Sequence, residues 1–239
     1  MTKGTMANIW QKLEIPALII VPMSLLSAAF MQVDQSALLT MVVVLLSVLV
    51  FFASFEASRP QLRQIMPTVV LAALAVAGRI VFAVIPNVQP VGAITIMAGI
   101  IFGRRSGFMV GALAMLLSNF FLGQGPWTPW QMYGFGLMGY LAGVLADHGA
   151  FERKPILYGY GLLAPILEYG FLLNSWYIIG YVHPITWQSA LLAYGAGLPL
   201  DLANGISTVI FLLVLYAPWR KKLERIKHKY DLAPDEPRN

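Results

Sequence analysis

Residues 37–55, with the sequence ALLTMVVVLLSVLVFFASF, decide the class of this protein, because these nineteen residues include no charged side chain. A helix that crosses the hydrocarbon core of a bilayer needs about 20 mostly apolar residues. Comparable apolar runs recur along the chain, and the fourth is too short to cross a bilayer upright. The sequence therefore predicts an all-α polytopic membrane protein. Its eight predicted helical segments have the approximate bounds 15–33, 37–55, 63–84, 91–103, 106–122, 129–147, 156–180 and 189–217.

The overall composition agrees with a bilayer environment. Of the 239 residues, 58% are hydrophobic and only 11% are charged, whereas soluble domains carry about 25% charged residues. This composition excludes an ordinary soluble enzyme and a disordered binding segment. The chain contains no cysteine, which excludes disulfides, thiolate metal sites and cysteine nucleophiles.

The sequence also lacks the motifs of common catalytic and nucleotide-binding sites. It contains no Gly-x-x-x-x-Gly-Lys-Ser/Thr loop, no His-Glu-x-x-His and no Gly-x-Ser-x-Gly. His148, His183 and His228 are dispersed, whereas the ligands of a metal ion cluster. We therefore expect a protein that is not an enzyme and that needs no metal or cofactor of its own.

The basic residues indicate the orientation in the membrane. Cytoplasmic loops of membrane proteins carry an excess of Lys and Arg. One set of loops has no basic residue at all, whereas the other set and the C-terminal tail hold nearly all of them. The loops without Lys or Arg are 32–35, 86–90, 123–129 and 181–188. With eight segments, both termini are then predicted to be cytoplasmic in a multi-pass protein of the cell membrane.

The first apolar segment has an alternative interpretation. Lys12, the apolar run that follows and the small residues 27–29 resemble a signal peptide with a cleavage site. Pro16 and Pro22 interrupt that run, and a second apolar segment follows at once. We therefore favour a retained membrane helix.

Three charged residues lie inside predicted membrane segments. Arg79, Glu168 and Asp201 are each surrounded by apolar sequence, and a charge at the bilayer centre costs about 2.5 kcal/mol or more. Arg79 either faces the bundle interior, towards a ligand or a carboxylate, or extends to the outer interface. The two carboxylates either pair with Arg79 or contact a substrate. A proton relay ranks third, because it would need a longer chain of titratable groups.

Small residues recur at helical spacing in several segments. Ala73 and Ala77 are four residues apart and therefore share one face of their helix. Such small-xxx-small pairs allow close contact between helices, and internal packing is the simplest interpretation. Further examples are Gly103, Gly107 and Gly111, and later Gly136, Gly139 and Gly143.

Residues 119–133, NFFLGQGPWTPWQMY, combine aromatic, amide and proline residues in one predicted outer loop and helix start. Ligand sites join apolar aromatic walls to a few placed polar groups, so this stretch is predicted to cover a ligand. The alternative is a belt of aromatic residues at the membrane interface. The predicted substrate-binding residues are Arg79, Asn87, Gln89, Asn119, Gln124, Trp127, Trp130, Gln131, Tyr133, Trp176, Tyr177, His183 and Asn204.

Several stretches, taken in order, resemble the substrate-binding membrane subunits, or S components, of energy-coupling factor (ECF) vitamin transporters. These are residues 72–79, 86–90 and 119–131, and the glycine-rich helix that begins at Arg104 and Arg105. The resemblance covers roughly residues 60–218. It implies a core of six helices at 59–218, preceded by about two extra membrane helices at 1–58 and followed by a cytoplasmic basic tail at 219–239.

The resemblance also implies a function. S components bind a vitamin outside, dock onto a transmembrane coupling subunit that carries two ATPases, and topple to release the substrate inside. Ala73 and Ala77 match the positions that family members use for docking. Residues 123–131 resemble members associated with cobalamin, so the expected substrate is cobalamin or another corrinoid, with riboflavin or another vitamin as the alternative. A solitary membrane carrier and a membrane lipid enzyme rank lower, because Asp147 and Glu152 are too sparse for a metal–diphosphate site.

Overall fold

The computed structural model describes residues 3–31, 36–58 and 62–229, and this part of the chain contains helices and no strand. A short 3-10 turn, Ala150–Glu152, precedes α7, and a π-helical segment, Pro165–Tyr169, joins α7 to α8. The α-helices are α1 (Lys3–Met31), α2 (Ser36–Ala57), α3 (Leu62–Val81), α4 (Val91–Phe102), α5 (Arg104–Leu122), α6 (Thr128–Asp147), α7 (Lys154–Ala164), α8 (Gly170–Tyr181) and α9 (Trp187–Lys229).

The predicted all-α membrane class is confirmed. Five stretches are long and apolar enough to cross a membrane, namely residues 12–29 of α1, all of α2, all of α5, residues 154–181 and α9. The eight predicted segments all correspond to helical structure, with two differences. The segment 156–180 is divided at Pro165, because proline lacks the N–H that an α-helix needs there. The last helix continues past 217 to Lys229, across the boundary expected at 218.

Helix α4 forms the centre of the bundle. Eleven of its twelve residues are buried, and a helix that is apolar on every side is typically enclosed by other helices. It contacts α3, α5, α6 and α9. This central position accounts for a helix that is apolar throughout yet too short to cross a bilayer alone.

Glycines bring α4, α5 and α6 into backbone contact. A methyl group added at Gly107 or Gly139 would overlap the backbone of the other residue, and one added at Gly99 would overlap the carbonyl of Gly139. Gly111 approaches the carbonyl of Phe135 in the same way. Gly107, Gly111 and Gly139 therefore serve internal packing between helices, as predicted.

The N-terminal helices α1 and α2 pack against the core. The ring of Phe51 in α2 stacks on Phe108 in α5 with 4.0 Å between ring centroids. The buried carboxylate of Glu14 accepts hydrogen bonds from Arg105 Nε at 2.7 Å, from Tyr140 Oη at 2.8 Å and from the hydroxyl of Ser54. The two helices are thus joined to α5 and α6 by both apolar and charged contacts.

Candidate functional site

A polar site is centred on Arg79, near the C-terminal end of α3. Its Nε donates to Gln89 Oε1 at 3.0 Å, and its Nη1 lies 2.5 Å from Ser118 Oγ and 2.6 Å from Asn119 Oδ1. Gln89 lies just before α4, and Ser118 and Asn119 belong to α5. One guanidinium therefore connects three consecutive helices of the core through neutral oxygen atoms.

The amide of Asn119 extends the network into α6. Its Nδ2 donates to Thr128 Oγ1 at 3.0 Å and to Gln131 Oε1 at 2.8 Å. The Nε2 of Gln131 then donates to the hydroxyl of Tyr169 at 3.4 Å, which adds the π-helical segment. We call this set the Arg79 cluster. Its members are Arg79, Gln89, Ser118, Asn119, Thr128, Gln131 and Tyr169.

The connection between α3 and α4 is anchored to α9 and so holds Gln89 in position. The backbone N–H of Gln89 donates to Ser207 Oγ at 2.8 Å, and the hydroxyl of Ser207 donates back to the Gln89 carbonyl at 3.2 Å. Asn87 adopts φ 58°, a left-handed conformation that asparagine tolerates better than most residues. Its Nδ2 donates to the carbonyl of Leu200 at 3.0 Å. Both contacts attach the loop 86–90 to α9.

The π-helical segment brings Tyr169 into the cluster. An extra residue per turn rotates the side chains that follow it relative to a regular α-helix, and such segments are frequent at functional sites. Tyr169 is buried and lies within electrostatic range of both Arg79 and Asp201. The local break at Pro165 therefore contributes to the geometry of the site.

Four buried side chains of α4, α6 and α9 have polar groups with no hydrogen-bond partner within the described part of the chain. Both side-chain amide atoms of Asn204 are unpaired, and the residue is 0% exposed. The indole N–H of Trp130 and the hydroxyls of Thr95 and Thr208 are also unpaired. Asn204 lies three residues before Ser207, so both side chains share the face of α9 that meets Gln89. An unpaired buried polar group costs about 1–3 kcal/mol, which a ligand or water at this position would relieve.

The predicted pairing of Arg79 with a carboxylate is wrong. Asp201 instead accepts a hydrogen bond from Asn174 Nδ2 at 2.9 Å, and Glu168 accepts one from the hydroxyl of Tyr160 at 3.5 Å. Among the described residues, neither carboxylate forms an ion pair with Arg79. The physical reason is that α5 and the residues before α4 place three neutral oxygens against Nε and Nη1 of Arg79, whereas the two carboxylates are bonded elsewhere. The side chain of Arg79 therefore faces the interior of the bundle, as one expectation had it, but contacts neutral groups there.

The loop 123–127 is tied to the helices on either side of it. Gln124 Nε2 donates to the carbonyl of Leu116 at 3.0 Å, and the backbone N–H of Gly125 donates to Thr128 Oγ1 at 3.3 Å. Trp127 is 38% exposed, whereas Trp130 is fully buried in the core. These residues therefore close one end of the bundle between α5 and α6.

The remaining predicted residues lie apart from the Arg79 cluster. The hydroxyl of Tyr133 is 3.2 Å from the carbonyls of Ala17 and Leu18 in α1, so this residue packs against the N-terminal helices, and its contact with a substrate stays a prediction. Trp176 and Tyr177 form an aromatic group with Tyr181 at the end of α8. His183 is exposed in the following loop. For Tyr177 the alternative of an interfacial aromatic residue fits its half-exposed side chain.

Four residues of the site were missed by the sequence analysis. Ser118, Thr128 and Ser207 are hydroxyl residues inside or beside apolar runs. A polar side chain within a predicted membrane helix was the signal in the sequence that could have identified them. Tyr169 follows the predicted Glu168 directly, but only the π-helical turn directs it towards Gln131.

The predicted docking pair lies on the face of α3 that points away from the bundle. Ala73 and Ala77 are exposed, whereas Leu71, Ala72 and Ala75 are buried against the core. The simpler interpretation, internal packing, is therefore wrong for this pair. The small residues leave a shallow strip on the surface of α3.

One comparison with known proteins identifies the family. The model of the family described as ECF-type riboflavin transporter, S component, matches residues 60–221. No solved structure is significantly similar to the chain. The matched region contains the whole Arg79 cluster, Asn204 and the pair Ala73 and Ala77, and it leaves out α1 and α2. Because the match extends over well more than half of the sequence, the chain belongs to the family of S components of ECF-type riboflavin transporters, which are membrane transport subunits and not enzymes.

Proposed function

We propose that this protein captures a vitamin at the Arg79 cluster and delivers it to an ECF coupling module. The observation that carries the proposal is the group of unpaired polar atoms beside the cluster, above all the fully buried amide of Asn204. A buried amide with no partner is destabilising unless a ligand or water completes its hydrogen bonds. The adjacent guanidinium and amides supply further donors and acceptors for a polar heterocycle.

A flavin fits this arrangement better than a corrinoid. The family carries the name of riboflavin transport, and riboflavin presents ring nitrogens, carbonyls and chain hydroxyls to side chains of the kind gathered here. The corrinoid expectation rested on the resemblance of residues 123–131 to members associated with cobalamin, and a corrinoid would need the polar and aromatic side chains of this stretch to be available to it. Gln124 instead bonds to the backbone of α5, and Trp130 is buried. Cobalamin therefore becomes the competing substrate in the test below.

The partners follow from the same proposal. An S component works with a transmembrane coupling subunit and two ATPase subunits, and we assign the docking surface to Ala73 and Ala77. Both residues are small and exposed on α3, and small residues let a partner helix approach closely. Arg79 lies six residues after Ala73 in the same helix, so one element connects the ligand site to the docking surface.

The identity of the ligand can be tested directly. The protein, purified in mild detergent without added vitamin, is denatured, and the released small molecules are identified by mass spectrometry. We expect a flavin. Cobalamin in its place would overturn the substrate assignment and keep the capture function, whereas the absence of any vitamin, together with no binding of either in titrations, would overturn the proposed function itself.

The position of the site is tested with matched arginine variants. Arg79→Gln should weaken binding of riboflavin at least tenfold, because hydrogen bonds from a charged group contribute about 1.5–3 kcal/mol. Arg153→Gln, at an exposed arginine before α7, is the control and should bind as the wild type does. Equal affinities of all three proteins, measured by quenching of flavin fluorescence, would place the ligand elsewhere.

A further inference from the structure

An apolar groove runs between α3 and α9. It is lined by residues 66–74 of α3 and 219–226 of α9, and none of these belongs to the Arg79 cluster. Its volume is about 630 Å³. The wall on α3 consists of Met66, Pro67, Val70, Leu71 and Leu74, and the wall on α9 consists of Trp219, Lys222, Leu223 and Ile226. Among the residues whose side chains the structure describes, Lys222 is the one charged residue in this lining.

The groove is open towards the surroundings of the bundle. Met66 is 60% exposed, Val70 50% and Leu74 44%, although each is an apolar residue on a membrane helix. Their spacing of four residues places them in one row on α3. In a bilayer such a row meets lipid or another protein, so the groove needs an occupant with an apolar part.

The wall on α9 combines an apolar row with an interfacial end. Trp219, Lys222 and Ile226 repeat at three and four residues and therefore share one face of α9. Tryptophan is enriched where the hydrocarbon meets the head groups, and lysine extends its ammonium group to that level. Within residues 3–31, 36–58 and 62–229, no carboxylate pairs with Lys222, whereas its neighbour Arg220 is bound by Glu224 at 2.7 Å.

We propose that this groove is a binding site for one anionic phospholipid. An acyl chain lies against Met66, Val70 and Leu74, and the phosphate is bound by Lys222. The apolar walls match the acyl chain, and the cationic residue at the end of the groove matches the anionic head group. Lys221 and Arg225, both exposed on the same turns of α9, add positive charge around the head group. The site is separate from the vitamin site, but its wall on α3 shares a helix face with Ala73 and Ala77, so a docked coupling subunit would compete with the lipid.

The proposal is tested by native mass spectrometry of the full chain in detergent. Phosphatidylglycerol and phosphatidylcholine with identical acyl chains are added in turn, and the fraction of protein carrying one lipid is measured. We expect phosphatidylglycerol to bind more tightly. One basic residue near an anionic lipid surface contributes about fivefold in affinity, so Lys222→Gln should reduce phosphatidylglycerol binding about fivefold. Lys221→Gln is the matched control, because Lys221 does not line the groove, and its effect should be smaller.

A second variant tests the apolar part of the site. Val70→Trp fills the groove from an exposed position and should reduce the binding of both lipids, with a melting temperature close to that of the wild type. Equal binding of the two lipids, equal effects of Lys222→Gln and Lys221→Gln, or unchanged binding by Val70→Trp would each overturn the proposal. So would a Lys222→Gln protein that binds lipid normally but no longer co-purifies with the coupling module, because the groove would then be a protein contact.

Discussion

Asn204 is the residue that separates ligand binding from stability most clearly. Neighbouring amides in the site are bonded, as Asn119 is to Thr128 and Gln131, whereas both polar atoms of Asn204 are buried and unpaired. We propose that Asn204 completes its hydrogen bonds with the ligand when the site is filled. The arrangement therefore predicts opposite effects on stability and on binding.

We predict that Asn204→Leu raises the melting temperature of the ligand-free protein and weakens flavin binding at least tenfold. Leucine has the same number of side-chain heavy atoms, branched at the same carbon, and removes about 1–3 kcal/mol of unpaired polar burial, but it cannot hydrogen-bond a ligand. Thermal unfolding in detergent and a fluorescence titration measure the two effects. Asn174→Leu is the control, since Asn174 donates to Asp201 and its loss should lower the melting temperature. A destabilised Asn204→Leu protein with normal affinity would contradict this account.

Polar residues inside apolar runs made much of the site predictable from the sequence. Arg79, Gln89, Asn119 and Gln131 were all candidates, and the structure brings these four together. Tyr133 shows the limit of the argument, because it was grouped with Gln131 by proximity in the sequence. Two residues apart on a helix, the side chains point in nearly opposite directions, and Tyr133 contacts α1.

At the scale of helices, the attachment of α1 to the core depends on one buried carboxylate. Glu14 is 1% exposed and accepts hydrogen bonds from Arg105, Tyr140 and Ser54, which belong to α5, α6 and α2. One side chain thus links α1 to three other helices. Glu14 and Ser54 lie before the region matched by the family, whereas Arg105 and Tyr140 lie within it, so the contact joins the N-terminal helices to the matched core.

Glu14→Gln should destabilise the protein by about 3 kcal/mol, because it removes the negative charge from a buried ion pair and leaves the arginine uncompensated by this carboxylate. The expected result is a clearly lower melting temperature. Glu152→Gln, at an exposed glutamate beside α7, removes the same charge and should leave the melting temperature unchanged. If both variants melt alike, the ion pair does not hold α1 in place.

The positions of the helices follow from the hydrophobic runs, but their ends and breaks do not. Residues 156–180 form one apolar run in the sequence. In the structure a π-helical segment begins at Pro165, and this segment packs against α6 and α9. The extension of α9 to Lys229 is stabilised by the pair Arg220 and Glu224, four residues apart. Sequence reasoning treated these residues as a separate tail because their composition changes there.

For the whole molecule, we propose that the loops without basic residues face outwards and both termini face the cytoplasm. The chain has no cysteine of its own, so single cysteines report the orientation without background. Val84→Cys, Gln124→Cys and Gln188→Cys replace exposed residues in or beside three of these loops and should react with an impermeant thiol reagent on intact cells. Lys154→Cys should react only after the membrane is opened. The reverse pattern would invert the orientation.

The last prediction concerns assembly with the coupling module. Ala73 and Ala77 form an exposed strip on α3, and a partner helix can approach such a strip closely only while its residues are small. The double variant Ala73→Trp, Ala77→Trp should therefore bind the vitamin normally but fail to co-purify with the coupling subunit and its ATPases. Ala196→Trp places the same bulk on an exposed alanine of α9 and is the control, with assembly and uptake retained. Normal uptake by the double variant would mean that docking uses another surface of the bundle. A loss of vitamin binding would mean that the indoles disturb Arg79, because Arg79 lies two residues beyond Ala77 in the same helix.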